Sequence, residues 1–314
     1  MAIFLSRSAD RLLLRGSRRA VLKQFWRPQS NAVLHLTTVG AIPAHVESDG
    51  ADLWVANLTD NSVSRVRGSD GKLLETWVGA SNAYSVLVAR GDVYVAGQAS
   101  PGTLYRIDPS QPAGAVTAVA SLGDSPYGIT FDGSRIWTAN YVPGSISIVT
   151  PGATLPWTVT TRTTGFANLQ GALFDGANIW VTDTTPGTLL KLDGAGAVLQ
   201  TVTVGSNPEF PVFDGTNIWV PSLSSSISVV RASSGAVLAT LTGNGLNLPT
   251  TAAFDGQRIL VTNNSGDVVS LWKAADLTAL GFLGTGANTA PFGVCSDGVN
   301  FWITLSLANK LARF

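Results

Sequence analysis

The dipeptide Asp-Gly recurs through this chain at Asp49-Gly50, Asp132-Gly133, Asp175-Gly176, Asp214-Gly215, Asp255-Gly256 and Asp297-Gly298, with Arg90-Gly91 in the one gap. Running from Asp49 through Arg90 to Asp297, the spacings are 41, 42, 43, 39, 41 and 42 residues. A near-constant period of that length marks a repeat architecture, in which copies of one small unit share a continuous core. Each dipeptide precedes an apolar run: DLWVAN, DVYVAG, RIWTAN, NIWVTD, NIWVPS, RILVTN and NFWITL. Asp-Gly between apolar runs signals a hairpin, because Gly takes a positive φ without steric cost. In the fifth unit PEFPVFDG enters the turn and NIWVPS leaves it, followed by SSISVVRASSG and AVLATLTG. These runs are rich in Val, Ile, Thr and aromatic residues, which fit a pleated, half-buried surface. Four antiparallel strands per unit of about 40–45 residues describe a β-propeller blade. The spacing predicts an all-β, seven-bladed β-propeller.

Ring closure is legible too. The chain ends at Phe314 just after a third strand, NKLARF, while VLHLTTVG at residues 33–40 matches the fourth-strand pattern TVTVG at 201–205. The N-terminal strand is therefore predicted to complete the last blade, which removes an open edge. This divides the chain into an extension, 1–30, and a propeller, 33–314.

Composition narrows the chemistry. One cysteine excludes a disulfide framework, and two histidines, His35 and His45, exclude a three-His zinc site. Glu occurs only at Glu47, Glu75 and Glu209. A G-x-S-x-G elbow, a G-x-G-x-x-G strand-to-helix unit and a P-loop are all missing. No metal and no cofactor is expected, and Cys295 in GVCSDG reads as a small buried hydrophobe. No apolar run approaches the roughly 18 residues of a spanning helix. Trp54, Trp137, Trp180, Trp219 and Trp302 share one register, with Tyr94 and Leu260 in the other units. They read as rings packed between neighbouring blades, a ligand ladder being the alternative. Asn57, Asn140 and Asn263, with Asp183 and Ser222, read as turn residues bonding their own backbone.

The pattern Asp-Gly-x-x-Ile-Trp-Val-Thr-Asn, then Ser-Ile-Ser-Val-Val, then Thr-Val-Gly-x-x-Pro resembles the YVTN/YncE-type and virginiamycin-B-lyase-like seven-bladed propellers over residues 33–314. That group holds lyases, lactonases, adhesins and binding scaffolds, so the resemblance implies a fold and leaves the activity open. It also implies that the loop entering each innermost strand opens onto the central channel, where ligands bind. Five residues before each turn stand Ala44, Ser85, Tyr127, Gln170, Glu209, Thr250 and Phe292. Of these, Ser85, Tyr127, Gln170, Glu209, Thr250 and Phe292 are the channel-mouth ligand candidates. In lyase-like relatives His and carboxylates near this mouth hold a metal or move a proton. Here the ring carries one carboxylate, Glu209, and His45 one position further on, so that motif is not matched and no catalytic residue is assigned.

The extension differs from the body. Residues 1–30 carry a net charge of +6 and the remaining residues −6. An acidic body argues against nucleic-acid binding. Residues 8–26 read as a basic amphipathic helix, with Leu12, Leu13, Val21, Leu22, Phe25 and Trp26 as its apolar positions and Arg15, Arg18 and Arg19 among its basic residues. A twin-arginine export signal, an organelle transit peptide, a membrane-surface helix and a docking segment all fit this pattern. QFWRPQSNAVLH stands where an export signal needs an apolar core, so no convincing signal peptide is present. The reading carried forward is docking of residues 1–28 onto another protein or a large assembly, with a membrane surface as the rival host. The expected function is thus a non-enzymatic binding or scaffold propeller, the ring itself monomeric, in an extracytoplasmic or assembly-exposed setting. The alternative is a lyase- or lactonase-type enzyme acting at the channel mouth through Glu209.

Overall fold

The computed structural model describes residues 35–314. The expected basic helix and its residues, Leu12 to Trp26, lie outside the described residues, as do Val33 and Leu34. The described chain forms seven four-stranded antiparallel sheets. Blade 1 runs outward from the axis through β2 (Pro43–Ser48), β3 (Asp52–Asn57), β4 (Ser62–Arg67) and β5 (Leu73–Val78). Blades 2, 3, 4 and 6 repeat this order. In blade 5 the inner strand shortens to Val212–Phe213, where Pro208 and Pro211 withhold backbone donors. Blade 7 takes Pro291–Ser296, Phe301–Leu305 and Lys310–Arg313 from the C-terminus and β1 (His35–Thr38) from the N-terminal side. His35 faces Arg313 and Thr38 faces Lys310, so the expected closure is what the ring uses.

The core lies between blades rather than within them. Seven apolar clusters each span one pair of neighbours; Trp180 and Leu189 of blade 4, for example, pack on Ile218, Val220 and Val230 of blade 5. Trp54, Trp137, Trp180, Trp219 and Trp302 are essentially solvent-free. Each buries on the order of 200 Å², a gross gain of roughly 5 kcal/mol before ordering costs.

The repeated Asp explains why these rings and the turns recur together. Asp175 Oδ1 accepts the N–H groups of Ala177 and Asn178 at 2.8 and 2.7 Å, and its Oδ2 accepts the Trp180 indole N–H at 2.7 Å. The same indole–carboxylate bond joins Trp54 to Asp49, Trp137 to Asp132, Trp219 to Asp214 and Trp302 to Asp297, at 2.7–2.8 Å. One side chain thus caps the hairpin and satisfies a donor that the core would otherwise strand. Blade 6 has Leu260 instead of Trp, and there Arg258 Nε donates to Asp255 at 2.7 Å.

Blade 2 corrects the repeat frame. Tyr94 faces Leu87 as Trp54 faces Glu47, so Ala89-Arg90, not Arg90-Gly91, occupies the Asp-Gly place. Arg90 accordingly adopts φ 59°, and with no Asp at position 89 the Tyr94 hydroxyl donates to Asp92 at 3.2 Å. The buried Asn residues also differ from expectation. Asn57 donates to Ser62 and Ser64 at 3.1 and 3.0 Å, and Asn140 to Ser145 and Ser147 at 3.1 and 3.0 Å. They tie the second strand to the third rather than bonding only their own turns.

Candidate functional site at the channel mouth

The mouth is built where the inner strands begin. The chain enters six of the seven blades through one residue in the left-handed region: Ile42, Asn82, Ser125, Asn207, Leu248 and Ala290. A β-bulge follows in the inner strands of blades 1, 2, 3, 4, 6 and 7. Bulges re-aim side chains, and in these six blades they turn one residue toward the axis, while blade 5 supplies its residue from the irregular stretch before Val212. With blade 2 in its true frame this ring is Ala44, Tyr84, Tyr127, Gln170, Glu209, Thr250 and Phe292. Ser85 is the exception among the expected candidates. It sits one position on, buried, with its hydroxyl donating to the Tyr127 carbonyl across the blade boundary.

Threonines clamp this ring. Gly293 N–H donates to Thr304 Oγ1 at 2.8 Å, and Thr304 Oγ1 donates to the Ala44 carbonyl at 2.6 Å. Thr182 links Gly171 to the Glu209 carbonyl in the same way, and Thr262 links Thr251 to the Phe292 carbonyl. A Cβ on Gly293 would lie 2.3 Å from the Ala44 carbonyl oxygen, so the close approach of blades 7 and 1 requires glycine there.

Rings fill the axis. His45 lies with its centroid 4.4 Å from Phe210 and 5.2 Å from both Tyr84 and Phe292. Tyr84 continues to Tyr127 at 4.8 Å, and Tyr127 to Tyr141 at 5.2 Å. Burial drives the His45 imidazole down to about 3, so it is neutral at ordinary pH. Its Nε2 is buried without a partner among the described residues. Glu209 is 6% exposed and accepts a bond from the Gln170 amide at 3.0 Å. Burial raises its carboxyl to about 7, against the opposing pull of that amide. Tyr84 is raised well above its ordinary value by burial, with Glu209 and Tyr127 adding to the shift. Deeper in the channel wall, burial raises Glu47 to about 8, opposed by a bond from the Val88 backbone. Cys295 is pushed up by burial and then by Glu47 and Asp297, which leaves its thiol inert.

The arrangement can hold and exchange one proton at Glu209 near neutrality. Among the described residues no three His, Cys, Asp or Glu side chains come together as a metal would need. Of the channel-mouth candidates expected from sequence, Tyr127, Gln170, Glu209, Thr250 and Phe292 occupy matching positions at or just before the start of their inner strands. Sequence reasoning missed Tyr84 and Phe210, and it saw His45 without its aromatic surroundings. Counting ten residues back from each aromatic of the second strand, instead of five from each turn, would have found Tyr84.

Solved structures share this ring. Virginiamycin B lyase from Staphylococcus aureus aligns with TM-score 0.77 and 16% identity, covering 89% of this chain and 98% of that one. The chain has the fold of a virginiamycin-B-lyase-like propeller. A streptogramin B lyase aligns with TM-score 0.74 and 16% identity, covering 91% of this chain and 99% of that one. Hydrazine synthase of Kuenenia stuttgartiensis aligns with TM-score 0.75 and 17% identity, over 89% of this chain and 97% of that one. Neither a protein-family model nor a curated protein matches the chain. Similarity at this level establishes the virginiamycin-B-lyase-like ring and leaves its chemistry open.

Proposed function

We propose that this chain is a non-enzymatic binding propeller, a rigid ring that presents its surface to partners and is held to a larger assembly through residues 1–28. One observation carries the first half: His45, Tyr84, Phe210 and Phe292 fill the axial entrance with mutually packed rings. A lyase acting at that entrance needs room there for its substrate and acid–base groups facing it. Here the imidazole is packed among aromatic rings and Glu209 is spent on Gln170. The second half rests on sequence: a segment of charge +6 that also carries Leu12, Leu13, Val21, Leu22, Phe25 and Trp26 needs a covering surface.

A second reading has Glu209 in its favour. A carboxyl held at about 7 has the value expected of a general acid or base. Two experiments separate the readings. Virginiamycin B and streptogramin B, the compounds for which two of the structural neighbours are named, are each incubated with the protein and followed by mass spectrometry. The proposal expects no product, and turnover abolished by Glu209→Gln overturns it. In extracts of the cells that make the protein, Leu13→Asp with Leu22→Asp should shift it from a high-mass fraction to the mass of the ring alone. An unchanged high-mass fraction removes the extension as the anchor.

A further inference from the structure

On the face opposite the mouth, beside the Asp-Gly turns, grooves open between neighbouring blades. One of about 470 Å³ lies between blades 5 and 6, lined by Asn217, Arg231, Phe254, Gln257 and Lys273 with Asp214 at its edge. A second, about 350 Å³, lies between blades 4 and 5, and Arg231 lines it as well. A third, about 680 Å³, lies between blades 7 and 1 and includes Arg67.

The cations in these grooves differ in one respect. Arg67 is paired with Asp70 at 3.1 Å, Lys273 with Asp276 at 2.7 Å, and Lys191 donates to the Ala232 carbonyl at 3.3 Å. Arg231 alone among them has no side-chain hydrogen bond or ion pair to any described residue. The nearby carboxylate does not serve it. Asp214 accepts from the Thr216 and Asn217 backbone at 2.9 and 2.7 Å, from the Asn217 amide at 3.3 Å and from the Trp219 indole at 2.8 Å. Arg231 is half-buried, directly across the strand pair from Asn217. The Asn217 Oδ1 atom, whose amide nitrogen is committed to Asp214, is buried without a partner. An unpaired buried acceptor asks for a donor, and an unpaired guanidinium fork asks for an anion with two oxygens. Phe254 of blade 6 lines the same groove and offers an apolar wall.

We infer that the groove between blades 5 and 6 binds a small hydroxylated anion. Arg231 grips its carboxylate or phosphate, Asn217 Oδ1 accepts a ligand hydroxyl, and Phe254 covers its carbon face. The site is separate from the axial mouth and does not depend on the function proposed above.

The test uses full-length protein and ligand-observed NMR with four probes: glucose 6-phosphate, gluconate, inorganic phosphate and glucose. Glucose 6-phosphate or gluconate should bind more tightly than inorganic phosphate or glucose, and whichever of the two binds better identifies the anionic group. Arg231→Ala should weaken that binding by about tenfold or more. Asn217→Leu should weaken the hydroxylated anion while leaving inorganic phosphate unchanged, with Asn217→Ser as its replacement if the leucine variant loses its native tryptophan fluorescence. Arg67→Ala should change nothing. No saturable binding of any probe up to about 10 mM overturns the inference. Binding that survives Arg231→Ala, or falls equally with Arg67→Ala, overturns it as well.

Discussion

Asp175→Ala separates the two tasks of the repeated aspartate. Trp180 is fully buried, so losing its acceptor leaves an indole N–H unpaired in an apolar interface, a cost of about 1–3 kcal/mol. The Ala177 and Asn178 amides lose their cap as well, but Ala177 is exposed and water replaces much of it, so about 1 kcal/mol is added. The sum is about 3 kcal/mol, or a fall in Tm of roughly 6–12 °C for a ring of this size. In a Trp180→Phe background the indole term vanishes and Asp175→Ala should cost only about 1 kcal/mol, a coupling near 2 kcal/mol. Denaturant unfolding of the four proteins, followed by far-UV circular dichroism, measures it. A coupling below about 0.5 kcal/mol would falsify the view that turn and core are locked through this bond.

Deleting residues 1–32 should leave Tm nearly unchanged, whereas deleting 1–40 strips blade 7 of its outer strand and should lower Tm by many degrees; equal behaviour of the two truncations contradicts closure by β1. Thr304→Val should cost about 1–3 kcal/mol, because the Gly293 N–H and Ala44 carbonyl both lose their partner, and an unchanged denaturation midpoint would show the clamp to be dispensable. Stability should peak near pH 4.5 and fall toward pH 8. His45 is lowered to about 3, so its contribution is complete above about 6.5 and lost as pH falls toward 3. Glu209 and Glu47 are raised to about 7 and about 8, so the folded state holds their protons longer and loses stability as pH rises from about 4.5 through those values. Each group contributes at most about 1.4 kcal/mol per pH unit, the limit set by one proton. Tm measured from pH 3 to 9 checks this, Glu47→Gln should flatten the limb between 6.5 and 8, and stability rising over that range would refute it.

The blades were legible because Asp-Gly and the second-strand tryptophan are parts of one hydrogen-bonded unit that each blade needs. The fourth strand of blade 7 was legible because VLHLTTVG repeats the fourth-strand pattern TVTVG, and His35–Thr38 pair with Lys310–Arg313. The repeat is illegible where that unit is absent: with Ala89 in the Asp place, Arg90-Gly91 is a false match one residue late, which points to Ser85 rather than Tyr84. The axial plug was illegible for a different reason. His45 reaches the axis through a bulge, and Phe210 lies in the irregular stretch before the short inner strand of blade 5; neither departure leaves a periodic trace. The bond from Gln170 to Glu209 joins blades 4 and 5 across 39 residues, a separation at which local pattern carries no information. Arg231 and Asn217 likewise meet only through strand pairing.

The closed axial entrance underlies the proposed function, and His45 reports on it directly. With His35→Gln in the full-length protein, His45 is the one remaining imidazole, and its ring resonances can be followed by NMR from about pH 8 downward. If the aromatic plug holds, the resonances stay constant through the neutral range and move only as pH approaches about 3. A midpoint near the ordinary value of about 6.5 would mean that water reaches the imidazole, that the entrance is open, and that the enzyme reading regains its ground.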